Sequence, residues 1–250
     1  MALVKGLAAF KATKAQIEAD REARERPRAN YFNWKNNKNK EDKNVVSVRF
    51  LQEFDTAIEG YREDRGLPVM AVEHQAPGAK GFMRRANCTL ESEGACYACE
   101  RHREDRSLGW QQRRNFYIWA LVDYSDGEGP QPVVISRTFG SSFVDDLILE
   151  VESDDENRIT NKMWKVIKSG SGKSTTWKLR EDKKTVLYDD ADVEVIDLEE
   201  AVLRPIEYDK QAEYYGAVYK DGDPVDDDNE AAGATAVSKV EKTETGELQW

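Results

Sequence analysis

Cys96-Tyr97-Ala98-Cys99 is a C-x2-C knuckle, and Cys88 lies upstream of it with seven residues between. His74 precedes Cys88 with thirteen residues between. Three thiolates and one imidazole supply the four N and S ligands that a structural zinc takes in a tetrahedron. The chain has 3 cysteines, and all of them fall within positions 88–99. Ordinary reduced cysteines scattered by chance would not clump in this way. The segment 74–100 contains Pro77, Gly78, Gly81 and Gly94 and few large apolar residues, so a bound metal would have to fix its shape. His102, three residues after Cys99, competes for the fourth position. We take His74, because a ligand from outside the knuckle closes the tetrahedron from a second segment. Four candidate ligands leave no open position, which points to a structural ion rather than a catalytic one.

A second set of residues pairs cations with flat rings. Sequence-tolerant binding of single strands needs positive charge for phosphates and aromatic faces for exposed bases. Arg84 and Arg85 sit in the cysteine segment, and Trp110 precedes Arg113 and Arg114. These lead into a strand whose Tyr117 and Trp119 are expected on the face away from its aliphatic side. Arg49 and Arg137 hold polar strand or strand-end positions. Trp164 with Lys165, and Trp177 with Lys178, flank a hairpin and are counted here too, with core packing as the alternative. Trp34 and Lys35 lie in a basic, aromatic loop with Tyr31 and Phe32. Phe50 and Phe116 are read as core.

The elements that must carry these groups can be read from periodicity. Leu3, Leu7, Phe10 and Ile17 predict an amphipathic helix over 2–26, ended near Pro27. Alternation predicts strands over 45–51, 115–124 and 132–136. Further strands are expected at 163–168 and 175–180, joined through Ser169-Gly170-Ser171-Gly172-Lys173-Ser174. Residues 143–150 read as a short helix, 208–219 as another, and 67–108 as irregular. Several short strands with little helix predict a mainly β fold with minor α, a small barrel.

Charge is distributed unevenly along the 250 residues. Acids outnumber bases 48 to 37, for a net charge of −11. Residues 1–44 hold eleven Lys or Arg against six acids, whereas 189–200 and 221–230 hold seven and six acids and no base. A basic front with an acidic end fits a polyanion binder with a polyanion-like tail, although both ends serve solubility as well. No run reaches the ~18 apolar residues of a membrane helix. Lysines 5, 11 and 14 interrupt any signal-peptide core. The expectation is a soluble protein of a reducing cytoplasm.

The order His, Cys, C-x2-C in an aromatic-rich domain resembles the zinc-containing single-stranded-DNA-binding proteins of tailed phages, the family of the T4 helix-destabilising protein. The likeness runs over about 45–185. The stretches ANC at 86–88, CYACERHRED at 96–105, GWQQRRNFYIWALVD at 109–123 and RITNKMWKVIKSGSG at 158–172 resemble the versions from phages of actinobacteria. The resemblance implies an oligonucleotide-binding (OB) barrel with an inserted zinc loop, a basic aromatic groove, and an acidic tail that recruits replication and recombination proteins. Leu248 and Trp250 would form the hydrophobic tip of that tail.

Other motifs are weaker. Ser171-Gly172-Lys173-Ser174 imitates the end of a phosphate loop, but Ile167 stands where that loop needs Gly, and a strand rather than a helix is expected to follow. The 2 histidines both lie near the cysteines, which disfavours a histidine-dependent hydrolase. Acid pairs such as Asp145-Asp146 are ordinarily solvated rather than magnesium sites. The expected organisation is an N-terminal helix and basic loop over 1–44, an OB-type core over 45–200 with its zinc subdomain at 67–108, and a disordered acidic tail over 201–250. The helix has two candidate partners, a neighbouring copy along DNA or its own barrel. The expected function is non-catalytic, sequence-independent binding of single-stranded DNA in replication, recombination and repair. The alternatives are a zinc-ribbon accessory protein acting through protein contacts and a magnesium-dependent nuclease.

Overall fold

The computed structural model describes residues 14, 29–76, 85–154, 156 and 158–216. The helix expected over 2–26, Arg84, Leu248 and Trp250 lie outside the described residues. Seven strands form one antiparallel sheet: β1 (Val45–Phe50), β2 (Val69–Gln75), β3 (Arg85–Asn87), β4 (Arg113–Asp123), β5 (Gln131–Thr138), β6 (Trp164–Ser169) and β7 (Thr176–Glu181). Their order is β3-β2-β4-β1-β6-β7, with β5 on the other side of β4. Helices α1 (Leu90–Glu93) and α2 (Tyr97–Glu104) precede β4, α3 (Ser142–Ser153) follows β5, and α4 (Leu198–Val202) and α5 (Tyr208–Gly216) follow the sheet. The fold is therefore mainly β with minor α, as the pattern predicts.

β4 is long enough to serve two partners along one edge. Arg113–Tyr117 pairs with β2, and Ala120–Asp123 pairs with β1. Where those partners part, the Gln52 side chain fills the gap. Its Oε1 accepts the Trp119 N–H at 2.9 Å, and its Nε2 donates to the Arg65 and Leu67 carbonyls at 2.7 and 3.0 Å. A buried amide hydrogen bond is thus kept at the fork, where an orphaned donor would be costly.

The expected two-faced character of β4 is where the structure departs most from the pattern. Phe116, Ile118, Ala120 and Val122 pack with Phe50, Trp164, Phe143 and Leu147, as expected. Tyr117, Trp119 and Leu121 are equally buried, against Val134, Leu198, Ala201 and Val202, with Tyr188, Val193 and Ile196 beside them. Residues 185–203 therefore cross the second face as a strap. Burying each large side chain there contributes about 1.5–3 kcal/mol. The chain folds the acidic stretch 189–200 onto the sheet because its apolar positions alternate with the acids, most of which stay exposed.

α3 buries Phe143, Val144 and Leu147 against the sheet. Its Asp146 Oδ2 accepts the Leu179 N–H at 3.2 Å and its Ser142 Oγ donates to the Trp177 carbonyl at 3.0 Å, which seats it on β7. β5 and β7 are not hydrogen-bonded to each other, so the sheet is open. The β6–β7 hairpin falls where expected. Gly170 there has φ +77°, and a Cβ at that position would collide with the Ser174 carbonyl oxygen. Only glycine accommodates both constraints.

Two regional expectations are corrected. Residues 67–108 are not irregular: they contain β2, β3, α1 and α2. Residues 201–207, expected to open a disordered tail, form the end of α4 and the link to α5, which is the helix expected from 208, and Gln211 and Tyr215 of α5 are buried. Among the described residues, no helix is long and apolar enough to cross a membrane.

Candidate metal centre and nucleic-acid interface

His74 sits in β2 opposite Ala86 of β3, and Cys88 follows β3. Cys96 precedes α2 and Cys99 lies in its first turn. The Cys88 N–H donates to the Val72 carbonyl at 2.8 Å, which locks the β3 end beside His74. The four ligand atoms lie within 4.8 Å of one another. Cys88 Sγ is 3.6 Å from Cys99 Sγ, which in turn is 3.3 Å from His74 Nε2. Tetrahedral ligation with metal–sulfur bonds of about 2.3 Å places sulfurs about 3.8 Å apart, so the set fits a metal ion.

The surroundings fit as well. His74 Nδ1 donates to the Trp110 carbonyl at 2.9 Å, which turns Nε2 toward the sulfurs. Gln112 Nε2 donates to Cys88 Sγ at 3.2 Å and to Cys99 Sγ at 3.4 Å. Burial opposes ionisation of Cys96, but hydrogen bonds from His74 and from backbone N–H groups outweigh it and bring the thiol down to about 6. Burial and the Cys88 and Cys96 sulfurs push Cys99 up to about 12. Three sulfurs and an imidazole nitrogen this close together form a soft donor set suited to a cation. His102 is half-buried on α2 and is not part of the cluster.

α5 is clasped to this centre, a contact that no sequence signal announces. Gln211 Oε1 accepts the Tyr97 N–H at 3.0 Å, and its Nε2 donates to Thr89 Oγ1 and the Ile206 carbonyl, both at 2.9 Å. Tyr215 packs edge-on against Trp110 at 5.0 Å and stacks with Tyr97 at 6.3 Å. Trp110 therefore belongs to the metal module, not to a DNA groove.

Most of the expected cation and ring residues do not share one surface. Tyr117 donates its hydroxyl to Glu73 Oε2 at 2.9 Å beneath the strap, and Trp119 is 1% exposed. Trp164 is buried, with Nε1 donating to the Ile159 carbonyl at 3.0 Å. Arg85 is buried 3.7 Å from Glu73. Arg49 is tied to Thr160, Tyr188 and Asp190, the last two in the strap. Arg113 is half-buried, 3.5 Å from Gln75 Oε1. None of these six offers a free face. For Tyr117 and Trp119 the signal is the unbroken apolar run Phe116–Val122, which reads as a strand covered on both sides.

Four others gather at the rim between β5 and β7. Arg137 Cζ stands 4.2 Å from the centre of the Trp177 ring. Trp177 meets Trp34 edge-on at 5.4 Å, and Trp34 meets Phe32 at 5.1 Å. Lys35 follows Trp34 and is exposed. Lys168, outside the expected set, places its ammonium 5.9 Å from the Trp34 ring centre. Arg137 lies opposite Phe116 across the β4–β5 ladder, so Arg114, two residues along, shares its face. Arg114 is exposed, and so in large part is its neighbour Phe139. Burial disfavours the charge on Arg137, yet its Nε has no hydrogen-bond partner and no carboxylate pairs with it among the described residues. Trp34 Nε1 likewise has no partner among them. Comparison with family models, with curated proteins and with solved structures yields no match.

Proposed function

We propose that the protein is a non-catalytic single-stranded-DNA-binding protein, an OB-type barrel pinned by one structural zinc. It coats transient single strands during phage DNA replication, recombination and repair, protects them and removes hairpins. The observation that carries this reading is Arg137, a partly desolvated guanidinium stacked on Trp177 and without a counter-charge among the described residues. Leaving such a cation unpaired is costly, and a phosphate supplies what is missing. Trp34 beside it offers a ring for a base, and Lys35, Lys168 and Arg114 continue the positive rim.

Three further features support the reading. Although β5 and β7 are not hydrogen-bonded, α3 sits on β7 and Arg137 of β5 meets Trp177 of β7, which supports a barrel-like reading. The cluster of one histidine and three cysteines matches the ligand number and type of a closed zinc site. When bound, zinc supplies a crosslink between β2, β3 and α2 and takes no part in chemistry. The resemblance over 45–185 adds the phage context and the acidic tail, which contacts partner proteins through Leu248 and Trp250. Unwinding needs no catalysis, because a protein that binds only the open form shifts the duplex equilibrium by mass action.

The test is titration of a labelled mixed-sequence oligonucleotide, single-stranded, duplex and RNA, across salt concentrations. Tight binding to single strands over duplex, weakening linearly in log–log form with salt, supports the reading. Indifference to nucleic acid points to the zinc-ribbon accessory protein, and magnesium-dependent cleavage points to a nuclease.

A further inference from the structure

The sheet register builds a second patch beside the rim. Residues directly opposite each other on antiparallel strands share a face. Met70 lies opposite Phe116 and Phe116 opposite Arg137, so one row crosses β2, β4 and β5. In the next row Val72 lies opposite Arg114, and Phe139 donates its N–H to the Arg114 carbonyl at 2.7 Å. Rows two residues apart along a strand are separated by about 7 Å. Phe116 is buried, with Phe54 stacked on it at 6.0 Å. On either side of that pair the surface is open: Met70 is 52% exposed and Phe139 39%.

Apolar exposure edged by charge marks a contact surface. Here the charge has one sign. Arg114 is exposed and Arg137 half-buried, and neither has a carboxylate partner among the described residues. Glu73 is the acid of β2, Asp123 that of β4, and β5 has none. Both acids face the strap, where they accept from the Tyr117 and Tyr188 hydroxyls. A ring and a thioether beside unpaired guanidiniums suit the alternating bases and phosphates of a single strand. A purely apolar protein surface would instead cover both cations without supplying a partner. Arg137 joins the patch to the rim, because its guanidinium also stands over the Trp177 ring.

We propose that this patch is a second base-binding subsite for single-stranded DNA, with Phe139 as the stacking ring, Met70 as its apolar neighbour and Arg114 holding the adjoining phosphate. The subsite rests on the single-strand-binding reading and extends it. A strand stacked on Trp34 passes Arg137 and continues over Phe139 across the sheet. His74 lies two residues beyond Val72 on the same face, so this path ends beside the candidate metal centre.

Anisotropy titration of a labelled oligo-dT of about 16 nucleotides tests it on the full-length wild type, Phe139→Ala, Phe139→Leu, Phe139→Tyr and Trp34→Ala. Phe139→Ala and Phe139→Leu should each lose about tenfold in affinity with the log–log salt slope unchanged, and Phe139→Tyr should keep the wild-type affinity. A second readout needs no variant: a 5-iododeoxyuridine-substituted strand, photo-crosslinked to the wild type, should mark Phe139 or Met70 by mass spectrometry. Full affinity in Phe139→Leu, or crosslinks that reach neither residue, overturns the subsite, while a loss on Trp34→Ala leaves the single-strand reading standing. Failure of the wild type to bind any single strand overturns both.

Discussion

Three guanidiniums converge on Asp190. Arg49 lies 2.9 Å from its carboxylate and Arg62 3.8 Å, and the buried Arg65 pairs with it directly. Burial alone would raise the Asp190 pKa, but Arg65 and Arg49 outweigh it and hold the carboxyl below the usual range. A carboxyl depressed in the folded state contributes stability above its unfolded pKa of about 3.9, lost as pH falls through the folded value. Asp190→Asn should therefore cost about 1–3 kcal/mol at neutral pH, because it leaves Arg65 short of a partner. That difference should shrink toward zero in urea unfolding below the folded pKa. An equal difference at pH 7 and in strong acid would refute the clasp. The aromatic residues divide in a similar way. Trp34→Ala should weaken single-strand binding by about 1–3 kcal/mol in an oligonucleotide titration. Trp119→Ala should instead lower stability by about 3–5 kcal/mol and leave the affinity of the folded protein unchanged.

At the scale of elements, Gln211 and Tyr215 tie α5 to the candidate metal centre, and the two are expected to unfold together. Chelation should release both: amides of 85–104 and 208–216 exchange faster, while β4, β5, β6 and β7 keep their protection. Retention of α5 after metal removal would contradict the Gln211 clasp. Gly170→Ala should destabilise the β6–β7 hairpin by about 2 kcal/mol or more, lowering Tm by several degrees in a thermal melt. The elements differ in legibility for physical reasons. β1 and the hairpin are readable because their alternation and turn glycines are local signals. β2 is not, because Val-Met-Ala-Val-Glu-His-Gln mixes buried and exposed residues on the same face and buries both Glu73 and His74. The four metal-cluster residues are readable because cysteine is rare and clumped here. Gln112 and Gln211 are not, because nothing in an exposed-looking glutamine announces a thiol 13 or 115 residues away in sequence.

At the scale of the whole molecule, the charge pattern holds the main lesson. The acids of 189–200 read as part of the acidic end of the chain, and by side-chain exposure most are solvated. The apolar residues between them nevertheless cover the very sheet face that its Tyr and Trp residues marked as a binding surface. A one-dimensional sequence cannot say which distant segment will cover a strand, so the groove is proposed at the rim between β5 and β7 rather than on the β4 face. Only Trp34, Lys35, Arg137 and Trp177 of the expected set meet there, joined by Lys168 and flanked by Arg114. Arg137 is thus proposed as a phosphate-binding cation and Arg49 as a structural one. The most direct measurement is single-stranded oligonucleotide affinity against salt for Arg137→Ala beside Arg49→Ala. Arg137→Ala should lose about tenfold in affinity and about 0.7 in the log–log salt slope, with Arg49→Ala keeping the wild-type slope. A wild-type slope for Arg137→Ala, or the larger loss on Arg49→Ala, would contradict the account.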